Sequence, residues 1–183
     1  MTGALRRCLA WFAILLVCAG TASCGLADRI PPSGHRSTPP AQPRELTAPL
    51  LFWPVKKAEP GACPAGLKLA VDDEPNGICL RLGAAALVVD RLKAVSLDPG
   101  QSGDWAVDIT LADGDAEPFN RLTEELSQQT DPKNRMVLTI GVPPDGRLLT
   151  APSVPQRIDG AQLTISGSFT RDQAERLVHD LGG

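Results

Sequence analysis

The clearest alternation in the chain is "WAVDITLA", where Trp105, Val107, Ile109 and Leu111 are separated by Ala106, Asp108 and Thr110. A period of two with one apolar face predicts a half-buried strand. Past the turn residues "DGDAE" the period lengthens: Phe119, Leu122 and Leu126 recur at helical spacing through "PFNRLTEELSQQ", with Pro118 suited to a first helical position. One helix therefore crosses the sheet. Upstream, "APLLFWPV" packs Leu50, Leu51, Phe52, Trp53 and Val55 into a short run, which predicts a strand with Pro54 at an edge or a bend. A loop carrying Cys63 follows, then a short strand over 78–82. The apolar segment 87–97 continues the pattern and leaves a helical turn open.

Downstream, "RMVLTIGVPPDGRLLTAPSV" reads as an apolar strand over 136–142, a "PPDG" turn and a return over 147–150, a hairpin. "AQLTIS" supplies another strand with Leu163 and Ile165 inward. The last helix opens with Thr170 and has Gln173 three residues on, a capping box, with Phe169 placed to staple onto Ala174. Its inner stripe is Ala174, Leu177, Val178 and Leu181, and Gly182 stops it. Glycine before a helix also marks phosphate cradles. Those need several converging N–H groups and a lysine or hydroxyl that reaches the anion. Only Gly167 precedes this helix, Thr170 occupies the cap and bulky Phe169 stands in the approach, so Gly167 is read as easing a backbone turn and no nucleotide is expected.

The first 23 residues, "MTGALRRCLAWFAILLVCAGTAS", hold two arginines, an apolar run and then small residues, the layout of a secretory signal. The run is shorter than the roughly 20 residues of a spanning helix. "TASC" resembles the lipobox of bacterial lipoproteins, which implies cleavage before Cys24 and a diacylglycerol on its sulfur. Thr21 departs from the aliphatic residue usual there. From Gly25 to Arg44 the chain is rich in proline, serine and glycine, and reads as a disordered tether that at about 3.1 Å per residue would span several tens of Å. The expected organisation is a signal at 1–23, a lipidated cysteine and tether at 24–45, and a folded domain at 46–183.

With Cys8 and Cys18 in the signal and Cys24 given to lipid, Cys63 and Cys79 remain, and an exported chain most economically pairs them. Two free buried thiols are the alternative. A zinc shell would need more ligands than these two, and no metal or other cofactor is expected. The formal net charge of -3 becomes -5 without the signal, because 18 basic side chains lose Arg6 and Arg7 while all 21 acids stay. That excess argues against nucleic acid as a partner. Of the two histidines, His35 lies in the tether and His179 faces away from the apolar stripe of the last helix. Asp72, Asp73 and Glu74 form one acidic run, and Asp113 and Asp115 another, without the ligand spacing of a calcium loop. They read as solvated turns, and no catalytic constellation assembles.

The block from 104 onward resembles the head subdomain of the first periplasmic domain of SecD and SecF, membrane components of bacterial protein export. The shared features fall on Phe119 and Thr123 of the first helix, the buried run 137–140, the "G.vlsaP.v" return at 146–154, and "I.G.f...eA..L" at 165–177. "LLFWPV" is similar to the family's "leFRpV" entry, with Trp53 in place of the arginine. The resemblance implies an α+β fold, a mostly antiparallel sheet with helices packed on one face. It also implies a surface that contacts an emerging polypeptide, with exported chains or translocon subunits as partners.

Together these readings describe a lipoprotein held at the outer face of the cell membrane. It is expected to be a non-enzymatic module that binds a polypeptide or envelope partner, accessory to export or folding, through an apolar strip near Phe52 and Trp53, a groove, or an open sheet edge. The rival is a small envelope enzyme or enzyme regulator.

Overall fold

A computed structural model describes residues 43–100 and 104–182. The expected signal, Cys24, His35 and nearly all of the expected tether lie outside the described residues. The elements run in the order β1 (Arg44–Pro60), β2 (Ala70–Asp73), a 3-10 turn (Glu74–Asn76), β3 (Ile78–Leu82), β4 (Leu87–Pro99), β5 (Trp105–Leu111), α1 (Asp113–Ser127), β6 (Met136–Ile140), β7 (Arg147–Thr150), β8 (Gln162–Phe169) and α2 (Arg171–Asp180). Every strand pairing is antiparallel, so the molecule is an α+β fold. No described helix is long and apolar enough to cross a membrane.

β1 is the strand on which the others are hung. It has 17 residues, beginning two positions before the expected domain boundary, and it has three partners. Its first part pairs with β4, residues 50–54 pair with β6, and its last part pairs with β3. The main sheet therefore runs β7–β6–β1–β4–β5–β8, while β3 and β2 extend from the far end of β1. Pro54 falls at the bend where β1 passes from β4 to β3. Its carbonyl accepts the Gly83 N–H at 2.8 Å, and the N–H it lacks would point into the gap between those two partners, where no ladder bond is lost.

The run "LLFW" is apolar throughout because both faces of β1 are covered. Leu50 and Phe52 join the larger core with Val89, Ile109, Leu111, Ile165 and the inner stripes of both helices. Leu51, Trp53 and Val55 point the opposite way, into a second core with Val71, Leu80, Leu82 and Val137. Both helices thus lie on one face, and the β2–β3 wing closes over the other. This corrects the expectation of an apolar strip at Phe52 and Trp53, which are 0% and 4% exposed. The Phe52 ring meets the Phe119 ring edge-on at 5.6 Å. Trp53 Nε1 donates to Thr139 Oγ1 at 2.9 Å, and that hydroxyl donates to the Gly141 carbonyl at 2.7 Å.

Three local expectations also change. The segment after residue 87 is a strand, because its edges are filled by β1 and β5. α1 starts at Asp113, so Pro118 lies inside the helix. Two acids in the first turn favour that earlier start through the helix dipole, and an Asp115 N–H to Ala112 bond of 2.9 Å closes the turn. Gly167 is part of β8, in the irregularity where the register with β5 jumps from Ser166 to Phe169, and a Cβ there would come within 3.3 Å of the Phe169 ring; it makes room for that ring. The last helix keeps its sequence-level design: Thr170 Oγ1 accepts the Gln173 N–H and Gln173 Oε1 accepts the Thr170 N–H. Ala174, Leu177 and Leu181 are buried, and Gly182 adopts φ 76° at the end.

Candidate functional site

The site is built from what the β6–β7 hairpin and the following segment leave open. Between β6 and β7 the chain reverses so tightly that a Cβ on Gly146 would lie 2.4 Å from the Gly141 carbonyl oxygen. Only glycine fits that approach. β7 ends after four residues, and residues 151–161 then cross under α1 to reach β8.

That crossing segment is tied at every stage. Met136 N–H donates to the Pro152 carbonyl at 3.0 Å and Val154 N–H to the Asn134 carbonyl at 2.8 Å, with the Val154 side chain buried in the larger core. Thr123, fully buried on α1, accepts the Ile158 N–H at 3.0 Å. Arg157 bridges Asp159 and Glu124, both at 2.6 Å, and these two carboxylates hold the guanidinium more firmly in its charged form. Leu111 N–H finally takes the Ala161 carbonyl at 2.8 Å.

β7 and β8 are the two ends of the main sheet, and they face one another without sharing a ladder. Two adjoining cavities occupy the cleft and meet at Thr150 and Pro152. The first, about 640 Å³, has an apolar floor of Ile109, Phe119, Met136, Leu138 and Val154 and a polar rim of Ser96, Asp108 and Thr110. The second, about 770 Å³, lies between β7, the Ser166–Phe169 end of β8 and residues 72–76 of the β2 wing. Three edge strands therefore border one cleft. A strand edge offers unpaired backbone N–H and C=O groups, the chemistry by which an extended chain is bound.

The ionisable groups around the cleft are mostly engaged. Asp108 accepts from Thr164 Oγ1 at 2.6 Å. Asp72 accepts the Cys63 N–H at 2.6 Å. Asp73 is buried and accepts from Asn76 Nδ2 at 2.8 Å, which corrects its reading as a solvated turn residue. Arg147 pairs with Asp180. Glu59, Asp115 and Arg157, whose titration the fold shifts, line neither cavity.

Cys63 and Cys79 form a disulfide across the β2 wing. Their sulfurs and an Asp72 oxygen lie within 4.8 Å of one another, but the bond uses both sulfurs, so the thiolates a metal would take are not on offer. His179 is exposed on α2. Sequence reasoning did not place the cleft; the only signals pointing to it were the "G.vlsaP.v" segment and Thr123, which prove to form and fasten its roof.

Comparison with known proteins agrees with this architecture. The family model of the SecDF P1 head subdomain matches residues 69–183. The protein translocase subunit SecD of Streptomyces coelicolor is 30% identical over 130 residues, covering 68% of this chain and 22% of the relative. The structure of SecDF described as a membrane component that enhances protein export superposes with a TM-score of 0.50 at 22% identity, covering 75% of this chain and 63% of the other. SecDF in its super-membrane-facing form gives a TM-score of 0.50 at 24% identity, covering 75% and 19%. The chain thus spans about a fifth of the length of the SecD relative.

Proposed function

The chain belongs to the SecDF P1 head subdomain family, and from that premise we propose that it is a non-enzymatic extracytoplasmic lipoprotein that holds polypeptides in transit, accessory to protein export or folding. In this reading the signal is cut after Ser23, Cys24 carries the lipid, and the residues before β1 set the module off the outer face of the membrane. The observation that carries the reading is the cleft bordered by β2, β7 and β8, whose free edges suit an extended chain better than a compact ligand. The relatives supply the context: SecD is named as a translocase subunit, and SecDF is described as enhancing protein export.

The test is site-specific photocrosslinking in intact cells. A photoreactive residue at Ser166, in the cleft, should capture newly exported chains or translocon subunits, while one at exposed Arg121 on α1 should not. Equal capture at the two positions, or none at Ser166, would remove the cleft from the function.

A further inference from the structure

The three edges around the cleft are not equally protected. β2 and β7 have four residues each, and each carries charge: Asp72 and Asp73 on β2, Arg147 on β7. Short length and charged side chains are how sheets blunt a free edge. β8 is eight residues long, QLTISGSF, with no charge and no proline. Its only ladder partner among the described residues is β5.

The direction of its free groups follows from the ladder. Leu111 N–H donates to the Ala161 carbonyl, and the same register continues through Ile109 opposite Leu163 and Val107 opposite Ile165. Hydrogen-bonded pairs alternate with non-bonded ones in an antiparallel ladder. Gln162, Thr164 and Ser166 therefore turn their N–H and C=O groups away from β5, and all three residues are exposed.

What lies opposite decides the occupant. The cavity of about 640 Å³ sets residues 150–158 across from the first half of β8, and β7 faces the second half. A second folded copy would have to bring a whole sheet into this recess, whereas a single extended chain needs only the roughly 4.8 Å that separates neighbouring strands. Beyond Ser166, the far wall carries exposed Asp72 and Glu74, with Asp73 buried behind them, against Arg147 alone, which is itself paired with Asp180. We propose that β8 takes an extended polypeptide as an added strand along Gln162–Ser166, selecting an uncharged segment with a lysine or arginine at the end that reaches the Asp72–Glu74 wall. This deepens the polypeptide-binding reading above and rests on it.

The probe is a fluorescein-labelled peptide with the eight-residue length of β8, alternating valine and threonine with a lysine at one end, followed by fluorescence anisotropy. Its twin carries N-methyl groups on every second amide, which blocks one strand edge and leaves the side chains unchanged. Ser166→Pro removes an outward N–H while sparing the bonds to β5, at an edge-strand position of the kind where proline is tolerated; Ser166→Ala is the control. Wild type and S166A should bind the lysine peptide, with at least tenfold weakening for the N-methyl twin, for S166P, and for a glutamate in place of the lysine. Equal affinity for the twin and for S166P would overturn strand addition and leave a side-chain groove. Equal affinity for the glutamate peptide would overturn the charge selection. Absence of binding to wild type by every peptide would sink the polypeptide-binding reading itself.

Discussion

Thr123 Oγ1 accepts the N–H of Ile158 at 3.0 Å across 35 positions of sequence, and the same hydroxyl donates to the Asn120 carbonyl one turn back. A single buried hydroxyl thereby fastens the roof of the cleft to α1. Thr123→Val keeps the shape but leaves the Ile158 N–H without its acceptor, at a cost of about 1–3 kcal/mol. Amide exchange over residues 155–161 should speed up in that variant, and Thr123→Ser should restore most of the protection. Unchanged exchange in Thr123→Val would show that the roof is held by its other ties.

The disulfide between Cys63 and Cys79 closes a loop of sequence separation 16. On the chain-entropy account a loop of this size is worth roughly 3 kcal/mol. The Cys63→Ser, Cys79→Ser double variant should lower the urea midpoint accordingly, and adding dithiothreitol should shift wild type but not the variant. A midpoint indifferent to reductant in both proteins would mean that the cysteines are not bonded.

Phe52 and Phe119 are fully buried partners, so their importance lies in folding. Truncation of either to alanine should cost about 3–5 kcal/mol. A double-mutant cycle should recover a coupling of about 0.5–1.5 kcal/mol from the edge-on ring contact. Additive single losses would show that the pair contributes by burial alone.

The hydrogen bond from Lys57 Nζ, at 2.7 Å, holds the Glu59 carboxyl below its ordinary value against an opposing desolvation, and Arg81 adds a lesser pull in the same direction. Its folded value lies under its unfolded one, so its stabilisation is complete above the unfolded value and fades as the pH falls through the folded one. The pair is exposed, and salt should weaken it. Carboxyl NMR titration should find Glu59 below an unpaired glutamate, moving back up in Lys57→Ala or in high salt.

Cys24 lies outside the described residues, and its lipidation is a separate prediction. Cells fed labelled palmitate should mark the wild-type chain and leave Cys24→Ala unmarked. Equal labelling of the two would locate the lipid elsewhere or refute it.

Much of the sheet was legible because one-sided burial writes itself as alternation. β5 is the plain case, with Val107, Ile109 and Leu111 buried on the core side. The capping box of α2 was equally legible, being a contact between residues three apart. β1 was legible only in its middle: its polar flanks are strand because β4 and β3 pair with them, and pairing partners distant in sequence leave no local mark. The same limit explains Phe52 and Trp53. An uninterrupted apolar run is equally compatible with an exposed strip and with burial on two faces, and the covering wing comes from residues 70–82. A groove or an open sheet edge was foreseeable in kind, but its place was not, for a stronger reason: which edges are left unpaired is a property of strand order rather than of any residue. Asp73 was misread because its burial depends on where the β2 wing folds.

β1 also has a kinetic meaning. It is made first, yet Leu50 waits for Ile140 and Arg44 waits for Leu92 before their pairings exist. Contacts between distant parts of the chain slow folding, because the loop must close before any contact repays it. Until the sixth strand has followed, the opening segment keeps one margin bare. A protein with this topology begins life in the same condition as the chains it would hold.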